Sequence, residues 1–342
     1  MKHWIQAARL RTLPLSVSGI IVGSFYAMSQ SMFNWKIVVL ALSTTLGLQI
    51  LSNFANDYGD GIKGTDNEDR VGPKRAIQSG VITPKAMKRA LVITSILTLI
   101  SAILLIFVAF KDHNFVFSLF YLTLGILAIA SAIRYTVGSS AYGYRGYGDV
   151  FVFVFFGLVS TLGIYFMFAK EMDWLLLLPA VAIGFLSVAV LNLNNMRDEV
   201  SDRKSNKNTM VVKMGSANAK VYHYFLVVSA MILVLEFAYF KGFNLDQYIF
   251  VLTYITLIKH LLTLYKNKNL VKLDCLTRYT SRPAEKAALT IVLSDKAFMP
   301  SLYYTGLKRL TNGGNDFVSN KCNDFISLAG NRPCFEVVSL IP

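Results

Sequence analysis

Cysteine is missing from the first 274 residues of this chain, and all three cysteines follow at Cys275, Cys322 and Cys334. They form no Cys-x-x-Cys pair, so the sequence contains neither a disulfide framework nor a thiolate metal site. Histidine is also sparse, and its four copies lack the spacing of an imidazole metal site. The sequence therefore offers no cysteine or histidine motif for a metal.

Charged residues are also scarce. Charged residues make up 16% of the chain and hydrophobic residues 54%, with a mean hydropathy of +0.49. A typical soluble domain is about 25% charged, so this composition indicates a polytopic membrane protein. The net charge of +14 sits in short loops between apolar runs. We interpret it as a topology signal and as binding groups for an anion, and we expect no nucleic-acid partner.

Eight apolar runs are each close to the length of about 20 residues that a spanning helix needs. The first run ends near residue 27. The other seven cover about 35–52, 90–110, 115–135, 149–169, 174–193, 221–240 and 247–265. The first could be a signal peptide cut near Ala27, but an anchor better suits a chain with so many later spans. No strand pattern competes, and we predict an all-α, multi-pass membrane helix bundle.

Lysine and arginine are unevenly divided among the loops. Residues 53–89 and 194–220 are rich in both, whereas the loops of the opposite side each hold a single lysine. The positive-inside rule then places the N-terminus and both basic loops in the cytoplasm. We expect a protein of the cell's inner membrane.

Residues 51–80, the first acidic segment, hold five carboxylates between Asp57 and Asp69, with cations interleaved. Asn53, Asn56, Asp57 and Asp60 have the spacing of a single helical face. The glycines at 59, 61 and 64 are expected to end that helix. Mg²⁺ is commonly held by one or two carboxylates plus substrate phosphates, and Arg and Lys neutralise the remaining oxygens. A metal-bound diphosphate therefore suits this segment, although a solvated loop of mixed charge also explains it.

Residues 191–215, the second acidic segment, repeat the pattern at the end of another apolar run. Asn194, Asp198 and Asp202 lie four residues apart and share a helical face, and basic residues follow closely. Two such faces are hard to explain as unrelated solvated loops. The pair favours one joint site for a metal and a diphosphate.

The loop Arg134–Asp149 carries four tyrosines among several glycines. Tyrosines at a membrane surface often form only an interfacial belt. Aromatic faces also stabilise cations, which makes Tyr135, Tyr142 and Tyr144 candidates for a functional role.

Several motifs carry a resemblance to a known family. They are ARLRTLPLS (8–16), SNFANDYGDGIKGTD (52–66), DRVGPKRAIQSGVIT (69–83), YGYRGYGD (142–149) and NNMRDEVSDRKSNKNT (194–209). Over residues 1–274 the chain resembles the UbiA superfamily of intramembrane aromatic prenyltransferases. This resemblance implies nine helices around a cavity that opens to the cytoplasm for the acceptor and the diphosphate, and to lipid for the prenyl tail.

The resemblance also implies roles for individual residues. Two Mg²⁺ ions would be held by Asp57, Asp60, Asp198 and Asp202, which form the catalytic centre. Asp66 stands six residues after Asp60, where the widest superfamily pattern has four, and this spacing matches the naphthoate subgroup. The substrate-binding residues would be Asn56, Lys63, Asp66, Arg75, Tyr135, Tyr142, Tyr144, Asn194 and Lys207.

The motifs are most similar to those of the menaquinone-pathway members. The implied reaction transfers a polyprenyl group from polyprenyl diphosphate to 1,4-dihydroxy-2-naphthoate with decarboxylation, giving demethylmenaquinone. A prenyltransferase for hydroxybenzoate, haem or a chlorophyll precursor is an alternative. A cation-coupled transporter is another, but its acids are expected near the membrane midplane and not at helix ends.

Residues 275–342 differ in composition, and none of their apolar runs reaches span length. This atypical polar tail begins where the ninth helix of the family is expected. Either a genuine cytoplasmic tail or an altered reading frame explains it. We expect the tail to be extramembranous and poorly ordered, and the chain to be weakened or inactive as a result.

Overall fold

The computed structural model describes residues 2–66, 74–111 and 115–267. The tail 275–342 lies outside the described residues, as do Glu68, Asp69 and Arg70 of the first acidic segment. The predictions of two domains and of a poorly ordered tail therefore stay predictions.

Helices make up the described part of the chain, and no strand occurs in it. The helices are α1 Lys2–Ala8, α2 Leu13–Ser29, α3 Trp35–Lys63, α4 Pro84–Phe110, α5 Phe115–Arg134, α6 Gly148–Val152, α7 Ser160–Ala169, α8 Leu177–Lys204, α9 Met210–Phe240 and α10 Leu252–Lys266. A π-helical stretch, Phe153–Val159, joins α6 to α7.

Seven spans in the described residues are long and apolar enough to cross a membrane, and α6 and α7 together form one of them. An eighth is counted when α1 and α2, which meet at 55°, are taken as one bent span. The prediction of an all-α, multi-pass bundle is confirmed.

Helix α3 extends past its apolar run and carries the first acidic face. Asn34 caps its start by accepting a hydrogen bond from the Lys36 amide, and the helix ends at Gly64 with φ of 70°. The prediction that glycines 59 and 61 also end it is wrong, because both lie inside the helix. A Cβ at Gly59 would meet the Thr136 backbone at 2.7 Å, so this glycine serves close packing.

Small residues set the closest approaches between spans. A Cβ at Gly157 would lie 2.6 Å from the Cα of Gly184 on α8, and one at Gly23 would lie 2.4 Å from the Thr161 carbonyl. Such contacts hold membrane helices together, because lipid supplies no hydrophobic drive to associate. Large apolar side chains such as Phe107 and Phe240 remain exposed on the outer faces, as expected for lipid contact.

The two acidic segments meet at one end of the bundle. Helix α1 is fixed there, because the Asn53 amide donates to the Ala8 carbonyl at 2.9 Å. The tyrosine loop is fixed there too, since the Asn208 amide donates to the Tyr144 carbonyl at 3.0 Å. This end therefore carries the C-terminal ends of α3 and α8, the N-terminal helix and the loop 135–147.

Candidate active site

Arg75 forms the centre of the first acidic segment. Its Nη1 lies 2.9 Å from Asp57, its Nη2 3.7 Å from Asp60 and its Nε 3.6 Å from Asp66. Burial lowers the pKa of Arg75, but the charges of Asp66, Asp60 and Asp57 outweigh this effect and raise it overall. The guanidinium therefore stays charged, in the geometry that also binds phosphate oxygens.

Arg9 is a second guanidinium at Asp57, and the predicted set of site residues did not include it. Its Nη2 lies 2.5 Å from Asp57 Oδ1. Arg9 has a left-handed backbone with φ of 52°, at the turn between α1 and α2. In the sequence, basic residues before a first span look like a topology signal, which is why sequence analysis did not identify Arg9 as part of the site.

Lys207 connects the two acidic segments. Its Nζ lies 3.7 Å from Asp60 Oδ2 and 3.7 Å from Asp202 Oδ1. Only 12% of the lysine side chain is exposed, and both carboxylates are buried. The ends of α3 and α8 thus share one ammonium group.

Asp198 lies one turn before Asp202 on α8, and Arg197 binds it. The guanidinium donates from Nε at 2.8 Å and from Nη2 at 2.7 Å, a bidentate pair. Arg197, which stands three residues after Asn194 of the predicted site face, is buried. Asn194 lies on the same face as Asp198 and is half-buried.

Tyr144 joins the tyrosine loop to both segments. Its hydroxyl donates to Asp60 Oδ1 at 2.8 Å and lies 2.6 Å from Thr65 Oγ1. The ammonium of Lys63 stands 3.9 Å from the ring centroid. Burial and the charge of Asp60 raise the pKa of Tyr144, so the phenol keeps its proton and remains a donor.

The other predicted site residues fall into two groups. Tyr135 is near the carboxylates: burial, with Asp60, Asp149 and Asp202 close by, raises its pKa. Asn56 accepts a hydrogen bond from Thr136 at 3.3 Å, beside Asp57 on α3. Tyr142 turns away, because its hydroxyl donates to the Ser131 carbonyl at 2.9 Å and its ring stacks on Phe151 at 3.9 Å.

The side chains at this site limit which metal ion could bind there. Among the described residues, no group of three or more His, Cys, Asp or Glu side chains could hold a metal ion. Four carboxylates instead surround Arg75 and Lys207: Asp57, Asp60, Asp66 and Asp202. Such hard oxygen donors fit Mg²⁺ that keeps one or two protein ligands and takes the rest from phosphate and water. They do not form a cage made of protein alone.

Comparison with known proteins agrees with the motifs. Residues 16–275 match the UbiA prenyltransferase family. The chain is 45% identical to 1,4-dihydroxy-2-naphthoate octaprenyltransferase of Escherichia coli, over 75% of this chain and 82% of the relative. It is 43% identical to the protein of the same name from Haemophilus influenzae, over 78% and 86%.

Two solved structures share the fold. A UbiA homolog from Aeropyrum pernix superposes with a TM-score of 0.64 at 15% identity, covering 83% of this chain and 98% of that one. A UbiA homolog from Archaeoglobus fulgidus, bound to DMAPP and Mg²⁺, gives 0.53 at 13% identity, covering 84% and 99%.

Proposed function

This chain belongs to the UbiA prenyltransferase family, and on that premise we propose its reaction. It transfers a polyprenyl group from polyprenyl diphosphate to 1,4-dihydroxy-2-naphthoate, with loss of carbon dioxide, and gives demethylmenaquinol, the reduced form of demethylmenaquinone. The observation that carries the proposal is the meeting of both acidic segments around Arg75 and Lys207. The relatives' names supply the identity of the acceptor.

The diphosphate of the donor binds at the shared end of α3 and α8. Arg9, Arg75 and Lys207 present guanidinium and ammonium groups to it, and Lys63 stands beside them over Tyr144. Each of the first three cations faces an aspartate in the structure described here. The diphosphate replaces those carboxylates as the partner of the cations, and the carboxylates become free to bind metal.

Two Mg²⁺ ions, held by Asp57, Asp60, Asp198 and Asp202 together with the diphosphate, would neutralise the charge that develops on the leaving group. Arg75 and Lys207 stabilise the same charge from fixed positions, which lowers the barrier because they need no reorganisation. Tyr144 donates its hydroxyl proton toward Asp60 and holds that carboxylate in place.

The allylic cation left behind must be protected from water. Tyr135 and Tyr144 lie at the carboxylates and present aromatic rings to that region. Tyr142 supports Tyr135 by an edge contact with ring centroids 5.3 Å apart, and takes no part at the site itself. The prenyl tail lies along the apolar surface of the spans, with the site at the cytoplasmic face of the inner membrane.

A competition among acceptors tests this proposal. Membranes containing the chain receive dihydroxynaphthoate or hydroxybenzoate with Mg²⁺ and donors of several lengths, and mass spectrometry identifies the quinone. Demethylmenaquinone formed only with dihydroxynaphthoate is expected. Prenylated hydroxybenzoate in its place would assign the chain to a different acceptor and contradict the proposal.

A further inference from the structure

Asp149 is a buried acid that the diphosphate site does not use. It lies in the first turn of α6 and is 7% exposed. Tyr222 on α9 lies beside its carboxylate. Its Oδ2 atom is buried and has no hydrogen-bond partner within the described part of the chain.

The surroundings of Asp149 differ from those of the metal-site aspartates. Asp57, Asp60 and Asp202 each face a guanidinium or an ammonium, whereas the side chain described beside Asp149 is the neutral phenol of Tyr222. A buried acceptor oxygen without a partner costs about 1–3 kcal/mol. A ligand that donates one neutral hydroxyl would remove this cost, whereas an anionic diphosphate would be repelled.

Asp149 lies deeper in the bundle than Asp198 of the second acidic segment. A Cβ on its neighbour Gly148 would stand 3.5 Å from Leu191 on α8. Leu191 precedes Asp198 by seven residues, which is about 10 Å along a helix. A ligand at Asp149 would therefore sit below the diphosphate, on the membrane side.

Tyr135 lies close both to Asp149 and to the carboxylates of the diphosphate site. A Cβ on Gly148 would stand 3.2 Å from the Tyr135 hydroxyl, so the phenol lies directly against the start of α6. The charges of Asp60, Asp149 and Asp202 all act on Tyr135. A flat aromatic ligand between Asp149 and the carboxylates would thus lie beside this ring, next to the allylic carbon of the donor.

We propose that Asp149 binds a hydroxyl group of the aromatic acceptor through Oδ2 and accepts its proton during transfer. The inference rests on the proposed function and extends it to the acceptor's own site. Asp149 is then a catalytic residue of this enzyme.

The step balances as follows. The acceptor's O–H bond breaks, its proton moves to Asp149 Oδ2, and the oxygen becomes a ring carbonyl. The ring electrons form the new C–C bond to the allylic carbon, and the allylic C–O bond breaks with its electron pair leaving on diphosphate. When the attacked carbon carries the carboxylate, carbon dioxide departs, the resulting enolate takes the proton back, and Asp149 is restored.

Asp149→Asn tests the proposal, because it keeps the shape of the side chain and removes its basicity. A general base contributes about 100-fold or more, so prenyl transfer at neutral pH should fall by at least that factor. Transfer by Asp149→Asn should recover as the pH rises, since an acceptor hydroxyl that ionises by itself needs no base. The rise in unfolding temperature produced by octaprenyl diphosphate with Mg²⁺ should match that of the wild type.

Asp173→Asn is the matched control. Asp173 is likewise an acid beside a tyrosine, since it accepts a hydrogen bond from Tyr26 at 2.5 Å, but it precedes α8 at the opposite end of the bundle. Its variant should transfer at the wild-type rate with an unchanged pH profile.

Three results would overturn the inference. Transfer by Asp149→Asn within threefold of the wild type overturns it and leaves the proposed function standing. Loss of the donor-induced shift together with transfer assigns Asp149 to the fold alone. Absence of any product, both from the wild-type chain and from a chain with an apolar span added after Lys272, overturns the proposed function and this inference with it.

Discussion

Asp60 and Asp202 face the same ammonium group, since Lys207 Nζ lies 3.7 Å from each carboxylate. The two aspartates are far apart in the chain and end different helices, α3 and α8. Their common partner makes the two acidic segments one electrostatic unit. Removing any member of that unit should disable the whole.

Single carboxylate substitutions provide the first prediction. Asp57→Asn or Asp198→Asn should each lower the rate of transfer by at least about 100-fold, because each removes a carboxylate that would hold Mg²⁺ at the leaving diphosphate. Circular dichroism of the purified variants should show unchanged helix content. A variant that keeps near-normal rates would remove its aspartate from the shared site, and Asp246→Asn serves as the control on an acid outside both segments.

Metal dependence is the second prediction. Transfer should vanish in excess chelator and return with Mg²⁺ or Mn²⁺, the hard ions that suit carboxylate and phosphate oxygens. The measurement is quinone formation before and after adding back each metal. Undiminished turnover in chelator would instead favour a site that relies on Arg9, Arg75 and Lys207 alone.

The third prediction concerns the effect of Lys207→Gln on donor binding. A charge-assisted hydrogen bond contributes about 1.5–3 kcal/mol, so the KM for the donor should rise about tenfold or more. The KM for dihydroxynaphthoate should change little, because the proposed acceptor site lies at Asp149 and not at this lysine. The control is Lys213→Gln, whose ammonium instead donates to the Arg145 carbonyl. An equal rise for both substrates would contradict a diphosphate role for Lys207.

The helix contact at Gly157 provides the fourth prediction, which concerns stability. Gly157→Ala should destabilise the bundle by about 1–3 kcal/mol, since overpacked contacts cost this much and the new Cβ would lie 2.6 Å from the Gly184 Cα. Gly125→Ala is the control, because its nearest contact would be Ala102 at 3.9 Å. Unfolding in mixed detergent micelles measures both, and equal stability would show that α8 does not depend on this approach.

The tail provides the fifth prediction. Residues 275–342 stand where the resemblance implies a ninth helix, and we expect a chain shortened at residue 274 to keep the activity of the full chain. Adding an apolar span after Lys272 should raise stability and activity together, by restoring interhelical packing. Loss of an existing activity on shortening would show that the tail is a working part.

The spans and the two acidic faces could be predicted from the sequence because periodicity is a local signal. Asp57 and Asp60 are one turn apart on α3, and so are Asp198 and Asp202 on α8. That spacing is visible without knowing the fold.

The residues that sequence analysis missed depend on contacts between distant parts of the chain. Arg9 contacts Asp57, which is 48 residues away in the chain. This contact depends on the left-handed backbone of Arg9, which no sequence pattern predicts. Gly59 stays helical because Thr136 packs against it, and Tyr142 turns to Ser131 instead of the carboxylates. In each case a tertiary partner decides the outcome and local propensity does not.

A double-mutant cycle on Asp60→Asn and Asp202→Asn tests the central claim most directly. The measured quantity is kcat/KM for prenylation of dihydroxynaphthoate in the presence of Mg²⁺. If both aspartates serve one diphosphate site, the double variant should lose no more than the worse single variant, because residues that act as a unit are far from additive. Losses that multiply would show two independent sites and contradict the account.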